Sequence, residues 1–181
     1  MAILTDSAIL GAIETGEIVI TPFKRKNLGT NSYDLTLGNK LKVYDIDKDG
    51  CLDTRSANGT IEIDIPEDGF ILQPNILYLA SCNEYTETHT YVPMLADKSS
   101  IARLGVGTCF NAGFGDVGFC GYWTIEIVVT HPTKIYAGDK IAQLFFSATS
   151  GLPLVKYGDK KGAKYQNQPN EPISSKNHLN K

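Results

Sequence analysis

Near the start of the chain, apolar Ile9, Leu10 and Ile13 recur at helical spacing behind Thr5 and Asp6, and Gly16 closes the run. A hydroxyl or carboxylate ahead, one apolar face and a glycine behind predict a short helix with an N-cap and a stop. From there the period falls to two. Residues 18–20, 32–37, 41–44, 61–65, 76–80, 123–129, 140–147 and 154–157 read as strands between turns rich in Gly, Asn, Asp and Pro. Many short strands with one small opening helix predict a mainly β chain, closed or double-sheeted, of the jelly-roll class. No repeat or linker interrupts it, so residues 1–181 read as a single domain. The closing segment GDKKGAKYQNQPNEPISSKNHLNK is polar and rich in Asn and Lys. Its end predicts a mobile tail, whereas its first half, from about residue 158, carries aromatics and cations suited to a lid.

Composition narrows the class. A chain of 181 residues with 42% hydrophobic content buries an ordinary core without covalent staples. Cys51, Cys82, Cys109 and Cys120 lie far apart with no C-x-x-C pair, and no charged-then-apolar leader is evident, so a reduced, cytoplasmic protein without disulfides is expected. No apolar run reaches the roughly 20 residues of a membrane helix. The net charge of −3 argues against broad nucleic-acid binding but leaves room for a small anionic ligand held by a few cations.

Three stretches carry candidate chemistry. In DKSSIARLG, residues 97–105, a helical turn brings Ser99 and Arg103 to one face with Ser100 beside them; the stretch by itself reads first as a Ser-capped turn with a solvated Arg and second as a receptor for anionic oxygen. In YWTIEIVV the alternation sets Tyr122, Thr124, Glu126 and Val128 on one face, where Glu126 is either the wet side of a strand or a proton-transfer group. The preceding NAGFGDVGFCG offers glycines for tight turns that wrap a flat ring. In DIDKDG, Asp45, Asp47 and Asp49 with Gly50 imitate half a calcium loop, but Ser56 stands where the bidentate Glu belongs, so a solvated hairpin is expected.

SSIARLG at 99–105, AGFGDVGFCGYWTIE at 112–126 and AKYQNQ at 163–168 resemble, in order and spacing, three motifs of the dCTP deaminases, relatives of the trimeric deoxyuridine triphosphatases. With SYDLTLGNKL at 32–41 and the opening helix, the resemblance spans nearly the whole chain. It implies a dUTPase-like distorted jelly roll or barrel with a small central helix besides the N-terminal one. It also implies deamination without zinc, because the H-x-E and P-C-x-x-C signature of zinc deaminases is absent and His89, His131 and His178 have no cysteine pair beside them in sequence. By the resemblance, Glu126 moves the proton, Ser99 holds the water with the backbone carbonyl of Ala112, and Arg103 polarises the site. Lys98 and Ser100 face the phosphates, Asp116 the sugar 3′-hydroxyl, and Tyr157, Lys164 and Gln168 close over the triphosphate. Magnesium accompanies the nucleotide, sites are shared within a homotrimer, dCTP and dUTP are the ligands, and dTTP is the expected feedback inhibitor. Asp97-Lys98 replaces the usual Gly-Arg and Asn111 the usual Thr. The leading expectation is conversion of dCTP to dUTP. Direct formation of dUMP, to which AGFGDVGF points, is the alternative, and a plain deoxyuridine triphosphatase or a silent nucleotide-binding trimer are the further readings.

Overall fold

The computed structural model describes residues 2–46, 50–110 and 112–179, so Asp47 and Asp49 of the calcium-like stretch and Asn111 lie outside the described residues. Strand β1 (Ala2–Ile3) leads into α1 (Asp6–Glu14), where the Thr5 hydroxyl accepts the Ala8 N–H, Ile9 and Ala12 turn inward, and Gly16 follows at φ 75°. The expected cap, face and stop are all present.

The strands that follow are β2 (Ile18–Thr21), β3 (Tyr33–Tyr44), β4 (Thr60–Asp64), β5 (Phe70–Leu72), β6 (Tyr78–Thr88), β7 (Val92–Asp97), β8 (Val106–Gly107), β9 (Cys120–Val129), β10 (Thr133–Ile135) and β11 (Lys140–Ala148). The second helix, α2 (Ser99–Ala102), sits between β7 and β8. A nine-stranded sheet runs β1-β11-β3-β6-β9-β8, with β2 also on β6, β4 on β3 and β7 on β11; β5 and β10 form a separate pair. The ladders between these strands are antiparallel, as local hairpins and returns allow. The sheet curls around Tyr33, Leu35, Leu37, Ile125, Ile127, Ile141, Leu144 and Phe146, all buried. The mainly β, half-barrel architecture with two short helices matches the expected class.

Two local expectations change. Residues 32–37 and 41–44 form one strand, not two: β3 passes through Gly38 with a register shift against β6 between Leu37 and Leu41. A side chain on Gly38 would meet the Ser81 carbonyl oxygen at 2.9 Å, so this glycine marks close strand packing rather than a turn. Residues 154–157 are not a strand. Pro153 precedes them, no strand among the described residues pairs with them, and Leu154 stands fully in solvent. All four cysteines are free, and no helix among the described residues is long and apolar enough to cross a membrane.

Candidate active site

β9 places alternate side chains on two faces: Trp123, Ile125, Ile127 and Val129 are buried, while Tyr122, Thr124, Glu126 and Val128 are half-buried. On the second face opens a cleft of about 580 Å³ that takes in Glu126, Thr124, Ala112, Asp116, Tyr157 and Gln168. Its walls include Phe114, Phe119, Trp123 and Tyr165; the Phe119 and Trp123 rings lie 4.6 Å apart. Aromatic walls with one carboxylate suit a flat, polar ring. No histidine or cysteine lines the cleft among the described residues.

The glycine-rich segment wraps the cleft for a reason that composition alone does not give. The Leu95 N–H donates to the Gly113 carbonyl at 2.6 Å and the Gly115 N–H to the Pro93 carbonyl at 2.9 Å, so the segment lies flush along β7. A Cβ on Gly113 would stand 2.5 Å from the Leu95 carbonyl oxygen, and one on Gly115 2.9 Å from that of Pro93. These glycines permit contact between backbones rather than turns. On the other side, the Asp97 carboxylate accepts the Thr108 N–H at 2.6 Å, the Thr108 hydroxyl at 2.8 Å and the Cys109 N–H at 3.2 Å. That clamp sets Cys109 beside Glu126, to which it forms an isolated bridge. Burial pushes the Cys109 thiol up to about 11, with the Asp97 and Glu126 carboxylates adding to the shift and the Thr108 hydroxyl opposing it, so it stays protonated at neutral pH.

The tail closes the cleft instead of hanging free. The Tyr122 N–H donates to the Gln168 carbonyl at 3.2 Å, the Thr124 hydroxyl to Gln168 Oε1 at 3.2 Å, and the Ile173 N–H back to the Thr124 hydroxyl at 3.0 Å. Further along, the Ser175 N–H donates to the Tyr44 hydroxyl at 3.0 Å. Thr124, Ile173 and Ser175 were not among the residues the sequence singled out. Thr124 shares the face of Glu126 two residues away, and Ile173 is one of two large aliphatics in the polar closing segment, the other being Leu179, which are the signals that mark them. Gly121, at φ 146°, makes the docking possible, because a Cβ there would meet the Gln168 backbone nitrogen at 2.7 Å. Gly121→Ala is expected to destabilise the chain by about 1–3 kcal/mol and to speed proteolytic cutting of the tail. Urea titration and timed digestion measure the two effects.

The remaining site candidates divide. Tyr157 lines the cleft, its hydroxyl accepting the Tyr165 N–H at 3.0 Å. Asp116 also lines it and pairs with Lys160 of the tail at 3.3 Å. Lys164 is half-buried outside the lining, its carbonyl accepting Lys176 Nζ at 2.9 Å. Ser99, Ser100 and Arg103 are exposed on or just after α2, outside the cleft lining, with no side-chain hydrogen bond or ion pair among the described residues. α2 leads into β8, which pairs with β9 at Val128 and Val129, beyond Glu126.

Lys98 is already engaged: its ammonium lies 2.9 Å from one Asp34 oxygen, with Lys140 3.0 Å from the other. Burial alone raises the Asp34 carboxyl, but hydrogen bonds and charge from Lys98 and Lys140 outweigh it and hold it below its usual 3.8. A depressed folded-state value contributes stability that is present above 3.8 and is lost as pH falls through the lower folded value. Asp34→Asn is therefore expected to cost about 1–2 kcal/mol at neutral pH, the difference from the parent vanishing in strong acid. Denaturant unfolding of both chains across acid pH measures it.

Residues 3–149 match the family model described as dCTP deaminase-like. The chain is 47% identical over 150 residues to the "dCTP deaminase, dUMP-forming" of Cytophaga hutchinsonii, covering 83% of each. It is 48% identical over 151 residues to the protein of the same name in Clostridium acetobutylicum, again 83% of each. A Leptospira biflexa protein of that name is 44% identical over 171 residues, 94% of each chain. Among solved structures, the 2'-deoxycytidine 5'-triphosphate deaminase from Agrobacterium tumefaciens superposes with a TM-score of 0.63 at 20% identity. That superposition covers 81% of this chain but 48% of the other, so this chain spans about half its length, and the likeness is one of fold.

Proposed function

The chain belongs to the dCTP deaminase-like family, and from that membership we propose that it deaminates dCTP and cleaves the triphosphate, releasing dUMP, pyrophosphate and ammonia. The observation that carries the reading is Glu126, a carboxylate inside an aromatic-walled cleft whose lining, among the described residues, holds no metal-ligating histidine or cysteine. In the proposed first step Glu126 takes a proton from water, the resulting hydroxide adds to the pyrimidine C4, and the proton passes by way of the ring nitrogen to the departing amino group. The products of that step are dUTP and ammonia. A second water then attacks the α-phosphorus, leaving dUMP and pyrophosphate.

The other roles follow the family resemblance. Ala112 offers its carbonyl to the water, with Ser99 as the second holder and Arg103 stabilising the charge that builds up. Asp116 would exchange Lys160 for the sugar hydroxyl. Tyr157, Lys164 and Gln168 belong to the segments that close over the nucleotide, and Ser100 and Lys98 face the phosphates. Because Ser99, Ser100 and Arg103 stand exposed outside the cleft, with no side-chain partner among the described residues, we assign them to the site of a neighbouring copy in a homotrimer. Magnesium enters with the triphosphate, whose charge it offsets: Glu126 and Asp116 are the carboxylates of the lining, too few to make a dedicated cage. dTTP, which lacks the reacting amino group, is proposed as a competing inhibitor.

The names of the relatives favour dUMP over the dUTP that the sequence put first. One observation favours dUTP instead: Lys98, held by Asp34, must leave a carboxylate before it grips phosphate. Product separation after a single turnover with dCTP and magnesium decides. We expect dUMP and pyrophosphate in equal amounts with ammonia; dUTP without pyrophosphate would establish the simple deaminase. Bound dCTP with no ammonia would leave a silent nucleotide-binding protein.

A further inference from the structure

Away from the cleft lining, β6 and β9 bring together three metal-ligating side chains. The strand register sets Glu87 opposite Cys120, and His89 follows directly on Thr88, the last residue of β6, where its ring turns back toward Glu87. One carboxylate oxygen of Glu87, the thiol sulfur of Cys120 and a ring nitrogen of His89 all lie within 4.8 Å of one another, all three side chains half-buried. His89 Nε2 already stands 3.0 Å from Glu87 Oε2, while the Tyr85 hydroxyl donates to Glu87 Oε1 at 2.9 Å. The hydroxyl therefore fixes the carboxylate and leaves its second oxygen facing the imidazole.

We propose that Glu87, His89 and Cys120 form a binding site for a borderline-soft divalent cation, zinc above all, separate from the deamination cleft. Thiolate, imidazole and carboxylate together fit zinc in both donor type and number, with water as fourth ligand, whereas magnesium takes oxygen donors. Bonds of about 2.0–2.3 Å in a tetrahedron space the donors about 3.3–3.7 Å apart. The carboxylate and imidazole need open only slightly, and the thiol needs to move by about 1 Å, a modest adjustment for half-buried side chains at strand ends. The Tyr85 hydroxyl supplies the outer partner that orients a ligating carboxylate. His89 has no cysteine pair beside it in sequence; the fold brings Cys120 to it.

The test is a titration of the reduced, full-length chain with Co²⁺, which takes zinc geometry and gives a sulfur-to-metal charge-transfer absorption when a thiolate binds. One equivalent per chain should develop that absorption, and Zn²⁺ should displace it. Cys120→Ser and His89→Gln should abolish it, Cys51→Ser should leave it intact, and Glu87→Gln should weaken binding by about tenfold or more. Near-ultraviolet circular dichroism of the metal-free variants is expected to match the parent. No charge-transfer absorption in the parent chain, or its persistence in Cys120→Ser, would overturn the site. Neither outcome depends on whether the cleft turns over dCTP.

Discussion

Glu126→Gln is expected to lower dCTP turnover by about 10²- to 10⁴-fold while leaving nucleotide affinity within a few-fold of the parent. The amide matches the carboxylate in shape, so the cleft between β9, the 112–119 segment and the tail keeps its walls. What it loses is the ability to accept a proton from water, and with it the means of making hydroxide at neutral pH. Steady-state ammonia release measures the turnover and equilibrium binding of a non-hydrolysable dCTP analogue measures the affinity. An active Gln variant would return Glu126 to the role of a strand residue that faces a wet groove by alternation alone.

The second large effect is a recovery. Arg103→Ala alone should be nearly inactive, as should Glu126→Gln, but chains of the two kinds coexpressed should regain about one quarter of the parent activity. If each site of a symmetric trimer takes Glu126 from one chain and Arg103 from its neighbour, random mixing makes roughly one site in four intact. The expectation rests on α2: its exposed Ser99, Ser100 and Arg103 have no side-chain partners among the described residues and lie outside the cleft they are assigned to serve. Ammonia release from the purified mixture gives the answer. No recovery, with mixed trimers demonstrated by mass, would mean that both residues serve one chain's site or that Arg103 serves none.

The alternation of β9 was legible because a half-buried antiparallel strand writes its faces into the sequence with a period of two, and Glu126 kept its predicted face. The opening helix was legible for a similar reason, since cap, face and stop are local. Features fixed by distant partners were not. β7 carries a run of three consecutive buried residues, Pro93, Met94 and Leu95, which conceals the alternation of a strand, and its ladder with β11 defines it. Gly113 and Gly115 were readable as special but not as the places where two backbones touch. The tail was legible only in its first half, where Tyr157 and Gln168 line the cleft as expected; Ile173 and Ser175 dock through their backbone N–H groups onto Thr124 and Tyr44, and composition cannot tell such a segment from one solvated by water. Lys98 shows the same limit for a single side chain, its fate being set by Asp34 across the sheet.

One flank of β9 is covered by β6 from Cys120 to Ile127; the opposite flank is covered in pieces. β8 pairs with Val128 and Val129, Cys109 bridges to Glu126, and the tail binds its beginning, the Asn167 N–H donating to Cys120 and the Tyr122 N–H to Gln168. A long apolar strand with a bare edge is a template onto which another chain can add a strand. Removing the chain beyond Ala163 would uncover such an edge even if the core survived. The closing segment therefore also guards solubility, and a shortened chain should be lost first to aggregation during expression, before any defect in chemistry could be measured.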